Sequence, residues 1–134
     1  MRAVLDTNVF LAALLHSASC RAILEALRDS AFSLVTSEAL MAELMDVLAR
    51  PKFAGRLSAD DRRELIELVR REGHSVKPRR IALAVRDAGD RLVLECAYAA
   101  DCVVSGDHDL QALKYIGSAR VVSPALFLSL LSHR

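Results

Sequence analysis

Short apolar runs alternate along the chain with longer segments in which apolar residues recur at helical spacing. Mainly apolar runs at residues 3–5, 32–35, 102–104 and 120–122 have the length of buried strands, and residues 75–77 give a weaker signal of the same kind. A strand that is covered on both faces reads as a continuous apolar run, because neither face meets water. These segments therefore predict a sheet with both faces buried.

Helical spacing predicts seven helices around these strands. They lie at residues 9–15, 21–28, 38–50, 59–72, 90–99 and 110–115, with a last one from residue 124 onward. Ser37, Ser58 and Ser123 stand where a helix N-cap accepts a backbone hydrogen bond, and Pro51 and Gly73 stand where a helix ends. The alternation predicts the α/β class, with a central, mainly parallel sheet of four to five strands and helices on both faces.

The composition fits a single folded domain over residues 1–134. Hydrophobic residues make up 53% and charged residues 26%, and the net charge of +1 excludes a protein that coats nucleic acid by bulk charge. The apolar stretches fall far short of the roughly 18 residues that a membrane span needs, and no signal peptide is expected. Three cysteines without a CxxC spacing indicate reduced thiols and a cytoplasmic protein.

Acidic residues follow two of the predicted strands directly. Asp6 comes after the first strand, and Asp107 and Asp109 come after residues 102–104 and the turn Ser105-Gly106. Ligands of open α/β sheets bind outside the carboxyl ends of the strands, so these side chains are candidates for a site. The alternative for each is structural: Asp6 as a helix N-cap, and the 107–109 cluster as a turn with His108 exposed.

Two further acids stand on helix positions that share or border an apolar face. Glu43 lies at the edge of the stripe formed by Leu40, Leu44 and Val47, and Asp90 opens a helix on the side that Val93 buries. Each alone is open to a structural reading, as a partly solvated edge residue or a favourable charge at a helix N-terminus. Four acids gathered at one end of a sheet repel each other unless a cation lies among them. Oxygen ligands suit Mg²⁺ or Mn²⁺.

In order and spacing, these motifs resemble those of the PIN-domain ribonucleases. The likeness rests on Asp6-Thr7-Asn8, Glu43, Asp90 and the segment from Ser105 to Leu110, and it extends over nearly the whole chain. It is strongest to small bacterial PIN proteins of the VapC-like kind, the toxins of type II toxin–antitoxin pairs. Two positions depart from the common pattern: Arg91-Leu92 replaces Asn-Lys, and His108 replaces Lys.

The resemblance implies a three-layer α/β/α PIN-like fold and a metal-dependent endoribonuclease. It implies that Asp6, Glu43, Asp90 and Asp107 bind Mg²⁺ or Mn²⁺ and carry the catalysis, with Asp109 as a fifth acid. Asn8 and Ser105 would orient these carboxylates by hydrogen bonds. The implied partners are an RNA substrate, a cognate antitoxin and a second copy of the chain. An apolar C-terminal segment, residues 126–131, also favours a homodimer or belongs to the core.

Basic residues are concentrated in the middle of the chain, where they offer contacts for RNA. Residues 50–91 hold 12 of the 18 Lys and Arg against 7 acids. We predict phosphate contacts from four side chains of this segment: Lys52, Arg79, Arg80 and Arg86. The arginines at 62, 63, 70 and 71 fit an ordinary solvated helix surface instead.

Two other functions stay open on the sequence. One is a haloacid-dehalogenase-like phosphatase, which also places an Asp after its first strand. That family needs a second Asp two residues later, where this chain has Asn8, and a Lys in a fixed position for the phosphate. The other is a catalytically silent PIN-like module that binds RNA or protein, against which the complete set of four acids argues.

Overall fold

A six-stranded sheet forms the centre of the part of the chain described by the structure, a computed structural model covering residues 1–83, 85 and 87–133. The strands are β1 (Arg2–Leu5), β2 (Ser33–Thr36), β3 (Gly73–Ser75), β4 (Cys102–Val104), β5 (Tyr115–Ile116) and β6 (Ala119–Val122). Their order is β3-β2-β1-β4-β6-β5. All neighbours are parallel except β5 and β6, which form an antiparallel hairpin.

Eight α-helices surround this sheet in the described ranges. They are α1 (Thr7–Leu15), α2 (Ala18–Arg28), α3 (Glu38–Leu48), α4 (Pro51–Ala54), α5 (Ala59–Glu72), α6 (Ala88–Leu94), α7 (His108–Gln111) and α8 (Pro124–Ser132), with a 3₁₀ turn at Ala97–Ala99. The hydroxyls of Ser37, Ser58 and Ser123 accept backbone hydrogen bonds at the N-termini of α3, α5 and α8. Each cap satisfies a backbone N–H that the first helical turn leaves without a partner.

Both faces of the sheet are buried, as the apolar runs predicted. Successive residues of β1 point to opposite sides, so Ala3 and Leu5 pack in one apolar cluster and Val4 packs in the other. In β4, Cys102 and Val104 face the first cluster and Val103 the second. The result is three layers, helix on sheet on helix, which confirms the predicted fold class.

The apolar C-terminal segment packs largely on this core. Phe127 of α8 is fully buried and meets Phe32 edge to face, with ring centroids 5.0 Å apart. Leu126, Leu128 and Leu130 are partly buried against the same cluster. The segment therefore has a structural role within one chain, and the predicted homodimer stays a prediction.

Several predicted boundaries differ from the structure for local reasons. The sheet has six strands in the described residues rather than four to five, because residues 115–116 form β5. The helix predicted at 110–115 is instead His108–Gln111, since Lys114 has φ of +62° and turns the chain out of the helix. Pro51 does not close α3, which ends at Leu48, but opens α4, where its fixed φ suits a first helical position.

The length and apolarity of the helices bear on whether one of them could cross a membrane. No single helix of the described ranges is long and apolar enough to cross a bilayer, and α1 with α2 meets the length and apolarity criteria only as a pair bent by 108°.

Candidate active site

Asp6 and the 105–107 loop lie at the same edge of the sheet because β1 and β4 are parallel neighbours. Leu5 pairs with Val104, and the backbone N–H of Asp6 donates to the carbonyl of Val104 at 2.9 Å. The next residues along both strands are therefore side by side. The N–H of Ser105 donates in turn to the carbonyl of Val122 in β6, which extends the same edge.

Ser105 links the two acids of this edge. Its hydroxyl, which is fully buried, donates to Asp6 Oδ2 at 2.8 Å and accepts from the backbone N–H of Asp107 at 3.0 Å. The Gln111 side-chain amide donates to the Ser105 carbonyl at 2.7 Å and fastens the loop to α7. Asp6 is only 5% exposed and is the N-cap residue of α1, as the structural alternative predicted, but its carboxylate makes no side-chain cap hydrogen bond and is held by Ser105 instead.

Glu43 reaches the same region from α3. Its Oε2 accepts a hydrogen bond from the hydroxyl of Thr7 at 3.0 Å, which ties α3 to the start of α1. Ser37 starts α3 directly after β2, so Glu43 stands about one and a half turns into the helix. Glu38, on the exposed side of the first turn, takes no part in this contact.

Asp90 is presented by the first turn of α6. Asp87 is the N-cap of this helix, and its Oδ1 accepts from the N–H groups of Gly89 at 2.7 Å and Asp90 at 3.2 Å. Gly89 faces Glu43 directly. A methyl group at position 89 would overlap Glu43 Oε1 and lie 3.1 Å from Asp87 Oδ1. The absent side chain of Gly89 is thus what lets the Glu43 carboxylate rest against α6.

These acids line one cavity of about 580 Å³, which we call the acidic cavity. Five carboxylates border it: Asp6, Glu43, Asp87, Asp90 and Asp107. Arg50 and Lys52 are the cations among its lining residues. The structure therefore brings together all four acids that were predicted as the catalytic set, and adds Asp87, which the sequence did not single out.

Burial and mutual repulsion raise the pKa of two acids in this cavity. Burial is the main cause for Asp6, and the charges of Glu43 and Asp107 add to it, while the hydrogen bond from Ser105 acts in the opposite direction. Burial, followed by the charges of Asp6 and Asp87, raises the pKa of Asp90 to about 6. Both shifts mean that negative charge is disfavoured here without a compensating cation.

The donor set fits a hard divalent cation, because Mg²⁺ and Mn²⁺ prefer oxygen ligands and would relieve this repulsion. Among the described residues, no group of three or more His, Cys, Asp or Glu side chains already has the arrangement of a metal site. The carboxylates therefore match the ion by chemistry and by their shared cavity.

Two other predicted site residues, Asp109 and Asn8, lie at the border of the acidic cavity. Asp109 is exposed and lines a neighbouring cavity with Asp90 and Asp107, not the acidic cavity. Asn8 is exposed and lines the acidic cavity, and within the described ranges its side chain makes no hydrogen bond to a carboxylate. His108 is exposed as predicted. The roles of Asp109 and Asn8 stay predictions.

The predicted RNA-binding cations are placed in two different regions. Lys52 lines the acidic cavity. Arg79 and Arg80 line a separate cavity of about 220 Å³, where the Arg79 guanidinium lies 3.9 Å from the centroid of the Tyr98 ring. Ile116 and Gly117 of the β5–β6 hairpin also line that cavity. Arg86 lies outside the described residues.

Thr7, Asp87 and Gly89 are site residues that the sequence reasoning missed. Thr7 belongs to the Asp6-Thr7-Asn8 motif, and Asp87 lies three residues before Asp90 at capping distance, so each had a local signal. Gly89 had none, because its function depends on a residue 46 positions earlier in the sequence.

Comparison with known families gives one match. The model of the PIN domain family matches residues 2–109, which include all five acids of the acidic cavity. No curated protein matches the sequence. PIN domains are generally nucleases and typically use divalent metals, so the match supports a nuclease-type hydrolase. The chain belongs to the PIN domain family.

Proposed function

We propose that this protein is a Mg²⁺- or Mn²⁺-dependent endoribonuclease. The observation that carries the proposal is the acidic cavity, where buried Asp6 and the acids of three other elements converge at the carboxyl edge of a PIN-domain sheet. The raised pKa values of Asp6 and Asp90 support the proposal, because they mean that negative charge is disfavoured in this cavity without a compensating cation. No serine or cysteine nucleophile is required for such a reaction.

In this mechanism the chain's own residues position the reacting groups. Ser105 holds Asp6 and the Asp107 backbone, Thr7 holds Glu43, and Asp87 fixes the turn that presents Asp90. Asp6, Glu43, Asp90 and Asp107 would hold the divalent ion, which would supply a water of lowered pKa and positive charge near the phosphate oxygens. Lys52 lines the same cavity and would contact a phosphate adjacent to the one that is cleaved.

The test is cleavage of labelled RNA by the purified protein, with Mn²⁺ and with EDTA. We expect cleavage only with Mn²⁺, and loss of cleavage in Asp6→Asn with the fold retained by circular dichroism. A silent RNA- or protein-binding PIN module would bind without cleaving, and its calorimetric titration would show no Mn²⁺ uptake. Either result would refute the proposal. The PIN-domain match leaves the phosphatase alternative without support.

The biological role is a separate proposal, the toxin of a type II toxin–antitoxin pair that acts in the cytoplasm as a homodimer. It rests on the likeness to small bacterial PIN toxins, on buried free cysteines and on the partly exposed leucines of α8. We expect expression in a bacterial host to arrest growth, and Asp6→Asn to abolish the arrest. A small neighbouring reading frame whose product restores growth would identify the antitoxin. Normal growth at full expression would contradict the toxin role.

A further inference from the structure

Arg50 lines the acidic cavity at the junction of α3 and α4. Glu43, Val47 and Arg50 follow each other at spacings of four and three residues, and all three line this cavity. The N–H of Arg50, just beyond the end of α3, donates to the carbonyl of Val47 at 3.1 Å. The side of α3 that presents Glu43 therefore continues into a guanidinium at the same cavity.

The backbone of Arg50 is fixed by the helix that follows it. Arg50 is the N-cap residue of α4, and its carbonyl accepts from the N–H groups of Phe53 and Ala54, each at 2.9 Å. Pro51 occupies the start of this helix, where its ring restricts the backbone to a helical φ. The point from which the Arg50 side chain extends is thus held beside the carboxylates.

The guanidinium of Arg50 has only a weak partner. Its Nη2 lies 3.4 Å from Asp46 Oδ2, whereas charge-assisted hydrogen bonds are about 2.7–2.9 Å long. The two side chains are 57% and 73% exposed, and ion pairs of this kind contribute little to stability. Asp46 is not among the residues that line the acidic cavity. The guanidinium can therefore leave Asp46 at small cost for an anion bound in that cavity.

Lys52, the other cation of the acidic cavity, is placed differently. It also lines the adjoining cavity of about 600 Å³, and its Nζ lies 5.4 Å from the centroid of the Phe53 ring. Of these two cavities, Arg50 lines the acidic one alone. Arg50 is therefore the cation that is confined to the place where a phosphate would be cleaved.

The charge balance of the acidic cavity leaves a task for a cation of the chain. Its five carboxylates outnumber Arg50 and Lys52, so that one divalent ion would still leave the cavity negative. A phosphodiester brings one further negative charge, and attack by water adds another as the phosphorus becomes five-coordinate. A guanidinium offers two parallel N–H donors, which match the two non-bridging oxygens of a phosphodiester.

Building on the proposed ribonuclease function, we propose that Arg50 is a catalytic residue that contacts the non-bridging oxygens of the phosphate being cleaved. In this reaction the oxygen of water bonds to phosphorus and the bond from phosphorus to the 3′ oxygen breaks. The water gives up a proton, and the 3′ oxygen takes one up. Arg50 transfers no proton. It leaves Asp46 and stabilises the charge that grows on the two non-bridging oxygens.

The test compares variants of Arg50 with the wild-type protein in single-turnover cleavage of a labelled RNA at saturating Mn²⁺. We expect Arg50→Ala to lower the cleavage rate by about 10²- to 10³-fold, the loss typical of one group that stabilises transition-state charge. Arg50→Lys keeps the charge without the paired donors and should have an intermediate rate. Calorimetry should show unchanged or tighter Mn²⁺ binding by Arg50→Ala, because a positive charge has left the cavity.

Added guanidinium ion gives a readout that a merely structural role would not change. At concentrations below those that unfold the protein, it should raise the cleavage rate of Arg50→Ala by taking the place of the missing side chain. It should not raise the rate of Asp107→Asn, which lacks a carboxylate instead.

Two control variants separate the phosphate contact from the ion pair and from surface charge. Asp46→Asn removes the partner of Arg50 and keeps the guanidinium, so it should cleave RNA at least as fast as the wild-type protein. Arg63→Ala removes an exposed arginine of α5 that pairs with Asp60 and does not line the acidic cavity. It should keep the wild-type rate.

The proposal can fail while the ribonuclease itself stands. A loss in Asp46→Asn as large as that in Arg50→Ala would assign the effect to the ion pair, and weaker Mn²⁺ binding by Arg50→Ala would mean that Arg50 positions the carboxylates. Equal cleavage by Arg50→Ala and the wild type, or a rate of Arg50→Ala that guanidinium does not raise, would exclude the contact with phosphate. If the wild-type protein neither cleaves RNA nor binds Mn²⁺, the proposed function fails instead.

Discussion

The acidic cavity adjoins a second cavity of about 600 Å³, the groove, which is lined by residues of α1, α4 and the start of α8, and the two share five lining residues. Their chemistry differs. Five carboxylates border the first. The second has an apolar floor, one carboxylate and two cations, Lys52 and Arg56, that form no ion pair within the described part of the chain. On the proposed function, an RNA chain would be repelled by the first cavity in the absence of a cation and attracted by the basic side chains of the second. Catalysis and substrate binding would then be separated within a single surface, with Lys52, Phe53 and Asp107 lining both cavities.

The largest expected effect separates two acids of the same turn. Asp107 lines the acidic cavity and its backbone is held by Ser105, whereas Asp109 is exposed on the neighbouring cavity. We expect Asp107→Asn to lower kcat for RNA by about 10³-fold or more, because a ligand carboxylate is lost. Asp109→Asn is the matched control, with a loss of less than about 10-fold. Equal losses of kcat in the two variants would show that Asp107 and Asp109 do not differ in function.

The next effect concerns Gly89, whose missing side chain makes room for Glu43. In Gly89→Ala the Glu43 carboxylate has to rotate away, and because it is the end of a flexible side chain, the fold is retained. We expect about 10- to 100-fold weaker Mn²⁺ binding by calorimetry with an unchanged or higher Tm, since Ala favours helix over Gly.

Two further variants make this prediction specific. Shortening the acid in the double variant Gly89→Ala with Glu43→Asp removes the overlap, so it should bind Mn²⁺ more tightly than Gly89→Ala alone. Gly55→Ala is the control, because a methyl group at Gly55 would have no atom within 4 Å. Wild-type Mn²⁺ affinity in Gly89→Ala would show that Glu43 does not need this position.

A smaller effect is expected at Ser105. Ser105→Ala removes the hydrogen bond to Asp6 and leaves the Asp107 N–H without its partner. We expect about 10-fold lower Mn²⁺ affinity, the effect typical of groups that orient metal-binding residues. Ser105→Thr keeps the hydroxyl and should recover most of this affinity. Equal Mn²⁺ binding by Ser105→Ala and the wild type would exclude an orienting role.

The smallest effect is on the stability of the metal-free protein. Because the pKa of Asp90 is about 6 in the folded state and 3.8 as its ordinary value, the folded state binds more protons between these limits. The free energy of unfolding therefore falls as pH rises through this window and stays lower above it. Asp90→Asn removes the penalty, so at pH 7 in EDTA it should be more stable by about 1 kcal/mol, given solvent screening.

Thermal melts in EDTA at about pH 5 and pH 7 check the sign. The wild-type protein should melt higher at the lower pH, and Asp90→Asn should show a smaller difference, because the raised pKa of Asp6 remains. A variant less stable than the wild type at pH 7 would show that Asp90 is held by favourable contacts. That result would remove one argument for a cation in the acidic cavity.

The sequence predicted those parts of the molecule that depend on neighbouring residues. An apolar run shows where a buried strand ends, and an acid that follows it then lies at the end of the sheet. Asp6 and Asp107 were therefore predicted from the runs at 3–5 and 102–104. The short strand β5 was not found, because the positive φ of Lys114 and of Gly117 redirects a segment whose residues look helical.

Contacts between distant segments could not be predicted, because they depend on how helices and strands pack and not on neighbouring residues in the sequence. The Thr7–Glu43 hydrogen bond spans 36 positions, and the fit of Gly89 to Glu43 exists only after α3 and α6 are packed side by side. Charge density along the chain grouped Lys52 with Arg79 and Arg80, but the fold places these two arginines with Tyr98 in a separate cavity. Basic residues that are close in sequence therefore lie close in space only where the chain topology brings their elements together.

The chemistry of the cut RNA ends tests the central claim most directly. If a water activated in the acidic cavity attacks the phosphorus, cleavage of a labelled single-stranded RNA by the wild-type protein requires Mn²⁺ or Mg²⁺. Mass spectrometry of the products should then show 5′-phosphate and 3′-hydroxyl ends, and EDTA should abolish them. Products that carry a 2′,3′-cyclic phosphate, or equal cleavage in EDTA, would contradict a metal-dependent hydrolysis at these carboxylates.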